Sequence, residues 1–410
     1  MISAYLEFSR TNWRHLSFGA LLMALSSFGQ TYFVSLSGTH FRETFLLSDG
    51  GLGTAYAVGT FVSAMTLTWA GRLIDYTTVR MFTWVVAALL AGACVLVAVS
   101  PNFIVLAIAF YFLRLGGQGL MVHTALTATA RTFPMDAGKA LGIVALGMSA
   151  AQAFFPLATV ATMDLIGWRL AWIVHAVVVI AGIALALQFF PRNADTPIRA
   201  RKTKGDRSGN ASQPLWRDLR LLLTLPAVLA SPFIVTGFFF HQARLAEEKN
   251  WDIGWLAGGF VAFAVVQAIA VIAIGPAIDR LGTKRVLPFF LLPQALGMLL
   301  LGLVSEYWVA PVYMVLMSIS AAFGSTLATA LWVELFGSVE LARVRSVVEA
   351  GAVVASGASP ILMGLMIDAG ITLSVQALGC CVYTLLASTI AVGVQKVKAP
   401  PMAEDEARAR

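Results

Sequence analysis

Runs of about twenty apolar residues follow one another along nearly the whole chain, and this recurrence limits the fold more than any other feature. Twelve can be counted, numbered here as helices 1 to 12: 16–38, 50–71, 80–100, 103–127, 138–161, 169–190, 221–240, 254–276, 286–304, 309–335, 346–367 and 372–394. At ~1.5 Å per residue, each is long enough to cross the ~30 Å hydrocarbon core of a membrane. The alternating pattern of barrel strands is absent. Only 12% of the residues are charged, where a soluble domain carries about 25%. The expected fold class is an all-α integral membrane protein with twelve transmembrane helices. The first run holds Gln30 and Tyr32 and lacks a small-residue cleavage site, so it reads as a retained helix. Cys94, Cys380 and Cys381 fall inside runs and read as small buried residues. No metal site or cofactor motif is expected.

The net charge of +7 invites a nucleic-acid reading, but its placement argues for topology instead. With both termini in the cytoplasm and helices alternating, all but five of the 28 Lys and Arg fall on the cytoplasmic side. Arg42, Arg169, Arg244 and Lys249 lie outside, and Arg114 lies within the membrane. That is the positive-inside pattern. It predicts a multi-pass protein of a bacterial cytoplasmic (inner) membrane, with no nucleic-acid partner.

The segment 191–218 interrupts the apolar rhythm with a polar, basic, Pro- and Gly-containing stretch, which reads as a cytoplasmic linker. It divides a six-helix bundle at 1–190 from a second at 219–398, followed by a tail at 399–410. The halves are related. GRLIDYTTVR at 71–80 and GPAIDRLGTK at 275–284 align by a shift of 204, which takes Gly71 to Gly275, Asp75 to Asp279 and Arg80 to Lys284. The same shift takes Lys139 to Arg343 and Asp164 to Asp368. Five positions at matching places argue for a duplicated six-helix unit.

GRLID and GPAIDRLGTK resemble the loop signature of the major facilitator superfamily (MFS), found between helices 2 and 3 and again between 8 and 9. RLGGQG at 114–119 resembles the arginine motif of its helix 4. The first loop departs from the signature at Tyr76 and Thr77. The resemblance implies two pseudo-symmetric six-helix bundles and secondary transport by alternating access. It also implies that Asp75 and Asp279 meet the N-termini of helices 11 and 5. There they would act as a latch closed on the cytoplasmic side, with Gly71, Arg80, Gly275, Arg280, Lys284, Arg343 and Arg345 forming the gating set. More loosely, the chain resembles the oxalate/formate antiporter and monocarboxylate transporter branch.

Arg114 sits about eleven residues into helix 4, roughly 16 Å from its edge at ~1.5 Å per residue. A cation near the midplane costs at least ~2.5–3.5 kcal/mol, and no acidic residue stands at its level. Gln118 follows one turn later on the same expected face. A guanidinium offers a planar carboxylate a bidentate fork, so the pair predicts a small organic anion as substrate. The other reading is an arginine that ties helices together through carbonyls and water. Gln30, Gln152, Gln267 and Tyr313 each either line the substrate cavity or close an interhelical hydrogen bond. Glu334, Glu349 and His241 are the candidates for proton coupling, with Glu334 also suited to the inner gate. His123 falls roughly opposite Arg114 around helix 4, and Pro156, Pro226, Pro232 and Pro360 are expected kinks.

No nucleotide-binding run and no enzymatic motif occurs in the sequence, so an enzyme is not expected. The predicted function is secondary transport of a small organic solute, by proton symport or by anion exchange. Drug or metabolite efflux against protons and a non-transporting membrane sensor remain alternatives. The expected partners are a small-molecule substrate, protons and membrane lipid, with the chain working as a monomer.

Overall fold

The structure is a computed structural model that describes residues 2–190 and 215–396, without the side chains of 2–6, 216, 272, 275, 277, 279, 325, 328, 329, 338, 339 and 342. Most of the predicted linker and the whole predicted tail lie outside the described residues. Each of the twelve apolar runs carries helix, with 16–38 broken at Gln30 and 286–304 helical from Leu292 after a turn at 287–291. Among the described residues eight helices are long and apolar enough to cross a membrane, and the bent pair Trp13–Gly29 and Thr31–Phe45 makes a ninth. Leu292–Leu303 and Val309–Gly324 are shorter apolar helices, and Asp49–Ala70, rich in Gly and Thr, is helix 2. Helices 10 and 11 follow one another directly within Val309–Asp368 and are separated at Gly337, whose φ 75° and ψ 172° are not helical.

Polar residues at the run ends start the helices. Ser48, Thr78, Asn102, Asp252 and Thr372 each accept a hydrogen bond from the backbone N–H three residues on, satisfying a donor that has no partner within the helix. Asp218 caps helix 7 by accepting from the N–H of Arg220. Between helices 5 and 6, Gly167 adopts φ 79°, a conformation that glycine enters without steric cost. On helix 2, Val58, Val62, Met65 and Trp69 form an exposed apolar stripe at helical spacing. Such a stripe is suited to lipid.

The chain divides between Thr203 and Lys204 into two compact units, with Gln242–Arg244 counted to the first. Within the first unit, helix 1 packs on helix 5, helix 2 on helix 4, and helix 3 on helix 6. Small residues set the closest approaches: a Cβ on Gly147 would stand 2.0 Å from the Ala20 carbonyl oxygen, and one on Gly59 2.9 Å from the Tyr111 nitrogen. In the second unit helix 9 packs on helix 12. Gly237 of helix 7 abuts Met363 and Ser359 of helix 11, and Gly259 of helix 8 abuts Met314 of helix 10. The two units therefore repeat one packing scheme: first helix on fifth, second on fourth, third on sixth.

Candidate functional site

Helix 1 is broken where helix 4 carries its arginine. Residues Ser26–Gly29 tighten into a 3-10 turn, Gln30 is extended at φ −83° and ψ 151°, and the helix resumes at Thr31. In an unbroken α-helix the N–H of Phe33 would bond the Gly29 carbonyl. Here it donates to the carbonyl of Gln30 at 3.1 Å. The released Gly29 carbonyl accepts a hydrogen bond from Nη1 of Arg114 at 3.1 Å instead. A side-chain cation has replaced a backbone donor.

Helix 4 is altered at the same level. Arg114–Met121 winds as a π-helix, a wide turn with i→i+5 bonds that often marks functional sites. This segment brings Gly117 directly against Gly29. A Cβ on Gly117 would lie 2.6 Å from Gly29 Cα, and a Cβ on Gly29 would lie 2.1 Å from the Leu113 carbonyl oxygen. The glycines of RLGGQG thus let two distorted helices touch backbone to backbone.

Arg114 is 5% exposed. Its Nε donates to Thr60 Oγ1 of helix 2 at 3.1 Å, and Nη1 also reaches Thr31 Oγ1 at 3.4 Å. The guanidinium lies over the ring of Tyr56, 5.2 Å from its centroid, and Tyr56 in turn donates to Thr31 at 2.8 Å. Every one of these partners is neutral. Among the described residues no carboxylate forms an ion pair with Arg114. The arginine therefore ties helices 1, 2 and 4 together through neutral partners.

The other predicted site residues are placed as follows. Gln118, one turn along the same π segment, is exposed whereas Arg114 is buried. Gln30 is half-buried at the helix 1 break, and Gln152 is buried on helix 5. These four belong to the first unit. In the second, Gln267 is half-buried. The Tyr313 hydroxyl is fully buried without a hydrogen-bond partner among the described residues. His241 is buried, and its Nε2–H donates to the Pro360 carbonyl at 3.0 Å. Thr60, Thr31 and Tyr56 were not predicted. Tyr56 and Thr60 stand one turn apart on helix 2, but only the contact with helix 4 marks them out.

The loop signatures hold charge braces inside each unit. Asp75 forms an ion pair with Arg131 at the end of helix 4, and Nε2–H of His123 donates to the Gly71 carbonyl at 3.0 Å. These residues, with Arg72, line a cavity of about 310 Å³. Arg80 donates to the carbonyl of Phe190 at 3.1 Å. In the second unit Glu334 of helix 10 accepts from the Thr283 hydroxyl and lies 3.9 Å from Lys284. Shifting Arg131 by 204 gives Leu335, the neighbour of Glu334, so helix 10 pairs with the loop's base where helix 4 pairs with the loop's acid. Arg343 pairs with Glu340 at 3.1 Å and Arg345 with Glu349 at 3.8 Å. Arg280 is exposed; the surroundings of Gly275 and the side chain of Asp279 lie outside the described residues. Glu349 also lines a second-unit cavity of about 320 Å³ with Ser231, Pro232, Thr236, Phe290 and Leu331.

Outside the spans, Lys249 has its pKa lowered by burial, with Glu248 pulling the other way; its ammonium donates to the Val304 carbonyl at 3.0 Å. Burial alone would raise the Asp218 carboxyl, but hydrogen bonds and charge from Arg220 hold it below its ordinary value.

Comparison with known proteins bears on the whole chain. A sequence search of curated proteins finds no match. The chain is similar in structure to a bacterial homologue of the human lysosomal transporter Spinster in its inward-facing, unoccupied conformation, at 14% identity and a TM-score of 0.68, covering 93% of this chain and 96% of that one. It is also similar to the nucleoside transporter NupG, at 11% identity and a TM-score of 0.71, over 93% and 100% of the two chains. A bacterial homologue of the human drug peptide transporters PepT1 and PepT2 matches at 15% identity and a TM-score of 0.65, over 94% and 98%. At such identities the likeness is one of fold. The family model described as Major Facilitator Superfamily matches residues 17–265 and 252–410, and the chain belongs to that superfamily.

Proposed function

We propose that this transporter carries a small organic anion, a carboxylate in the first instance, across the cytoplasmic membrane. Membership of the superfamily makes it a secondary transporter working by alternating access. The anion reading goes further and rests on one observation: Arg114 is buried among neutral partners and no acid balances it. A guanidinium in a low-dielectric setting attracts an anion strongly. Its fork also matches a carboxylate in shape. Gln118, one turn along helix 4, and Gln30, at the helix 1 break, are proposed as further donors to the anion, and Gln152, Gln267 and Tyr313 as lining residues. In this reading 1–190 and 219–398 are the two moving bundles and 191–218 the link between them.

The efflux reading needs an acidic site for a cationic drug. Glu349, which lines an apolar cavity 3.8 Å from Arg345, is the acid that such a site would use. Uptake into proteoliposomes tests the choice, using a panel of mono- and dicarboxylates beside a lipophilic cation. Wild-type protein is expected to accumulate at least one carboxylate. Arg114→Met should reduce that uptake by about 100-fold, in line with loss of a charge-assisted bond worth ~1.5–3 kcal/mol. Movement of the lipophilic cation with no anion transported would replace the anion reading with efflux.

A further inference from the structure

The hydrogen bonds at the helix 1 break leave donors over. Arg114 carries its N–H groups on Nε, Nη1 and Nη2. Nε–H goes to Thr60, and Nη1 bonds the Gly29 carbonyl and Thr31. The N–H groups of Nη2 have no partner among the described residues. Thr31 is the second case. A hydroxyl accepts twice and donates once. Thr31 Oγ1 accepts from the Tyr56 hydroxyl at 2.8 Å and from Nη1 at 3.4 Å, so both of its acceptor positions face donors. Its own proton points elsewhere, and no acceptor for it occurs among the described residues.

The break in helix 1 is the reason. A threonine inside a membrane helix ordinarily gives its proton to a carbonyl of the preceding turn, as Thr124 does to Leu120 at 2.6 Å. Thr31 follows the extended Gln30 and opens a new helical segment, so no such turn precedes it. Thr60 shows the ordinary outcome: it accepts from Nε of Arg114 and donates to the Tyr56 carbonyl at 3.0 Å. Thr31 is half-buried. Nη2 shares its carbon with Nη1, which stands 3.4 Å from Thr31 Oγ1, so the unpaired donors are neighbours.

We infer that Thr31 binds the anion together with Arg114, one oxygen on Nη2 and another on the Thr31 hydroxyl. Tyr56 is the positioning residue that holds the Thr31 proton toward the ligand. The inference rests on the organic-anion reading above and narrows it: the ligand is a fully deprotonated oxyanion. A carboxylate brings only acceptors and satisfies both donors. A primary amide of the same shape places its oxygen on Nη2, but its NH2 then meets a Thr31 oxygen whose acceptor positions are filled. A polar group left unpaired in this way is what lets a site reject an analogue. Gln30 and Gln118 can turn either end of the amide toward a ligand, so the discrimination falls to Arg114, Thr31 and Tyr56.

Two measurements on the full-length protein test this. In proteoliposomes, the carboxylate that the wild-type protein accumulates is compared with its own primary amide as an inhibitor. Thr31→Val should raise the half-saturation concentration about tenfold, as expected for loss of one hydrogen bond to a charged group, while Thr31→Ser stays near wild type. The amide should inhibit the wild type poorly. Tyr56→Phe vacates an acceptor position on Thr31, so the amide should inhibit that variant about tenfold more strongly. An unchanged half-saturation concentration in Thr31→Val removes Thr31 from the site. Unchanged discrimination in Tyr56→Phe, or an amide as effective as the carboxylate on the wild type, overturns the role of Tyr56. The second measurement needs no transport. Formate should raise the thermal unfolding midpoint of the purified protein more than formamide does, and the difference should disappear in Thr31→Val and in Arg114→Met. No difference in the wild type, or the same difference in all three proteins, overturns the donor set. If no carboxylate is carried but the formate difference holds, the transport reading fails and the binding site stands. Should Thr31→Val fail to fold, Tyr56→Phe decides through the amide.

Discussion

Arg114 is held by a hydroxyl, a carbonyl and an aromatic face, each from a different place on helices 1 and 2. This set stabilises the guanidinium without neutralising it, which is the condition an anion carrier requires. Thr60 is the simplest partner to remove. Thr60→Val preserves the branched shape but deletes the oxygen that Nε uses, leaving a buried N–H unpaired at a cost of about 1–3 kcal/mol. The thermal unfolding midpoint in detergent should fall for Thr60→Val and stay near wild type for Thr60→Ser, which keeps the hydroxyl. Equal midpoints for both would mean that the Nε bond contributes nothing. Arg114 and its lack of an acidic neighbour were legible in the sequence, because charge and depth follow from hydropathy alone. Thr60 and Tyr56 were not, since threonines in membrane helices usually bond their own preceding turn, as Thr66 does here to Val62.

At the level of elements, the apolar runs became helices, most with ends close to the expected ones, because hydropathy and polar caps act locally; the run at 286–304 is helical only from Leu292. The break in helix 1 and the π turn in helix 4 were not foreseen. No proline marks either position, and the only local sign is the glycines, Gly29 in one helix and Gly116 and Gly117 in the other. Each distortion is stabilised by the other, through the Gly29–Gly117 contact and the Arg114 bond to the Gly29 carbonyl. A pattern confined to one segment cannot carry that information. The contact predicts a sharp contrast between glycines. Gly117→Ala would drive a Cβ into the Gly29 backbone, and overpacking of this kind costs typically about 1–3 kcal/mol. Gly142→Ala on helix 5 meets nothing within 4 Å and should be neutral or stabilising by up to ~1 kcal/mol through helix propensity. Unfolding midpoints of the two variants, measured side by side, check the ordering. Comparable losses would mean that the helix 1–helix 4 contact is looser than its geometry implies.

Across the whole molecule, the shift of 204 residues corresponds to a repeated packing scheme, and the superfamily match covers both halves. The repeat is imperfect where charge is concerned: Asp75 pairs with Arg131 in one unit, and Glu334 with Lys284 in the other. The loop keeps its acid and its base in both halves, at Asp75 and Asp279 and at Arg80 and Lys284, while the helix partner changes from a base, Arg131, to an acid, Glu334. The brace and the proposed latch make different demands on Asp75. A brace needs both Asp75 and Arg131, whereas a latch that meets another helix N-terminus needs only the carboxylate. Both side chains are about one-quarter exposed, so the ion pair itself is worth only about 0.2–1 kcal/mol. A reporter cysteine on the cytoplasmic side, labelled in membranes, separates the two. If Asp75 is a latch of the outward-open state, Asp75→Asn should raise cytoplasmic labelling severalfold while Arg131→Gln leaves it nearly unchanged, because Arg131→Gln spares the carboxylate. Equal effects of the two variants would reduce Asp75 to a brace, and alternating access would then have to be controlled elsewhere, with the broken joint of helix 1 as the next place to test.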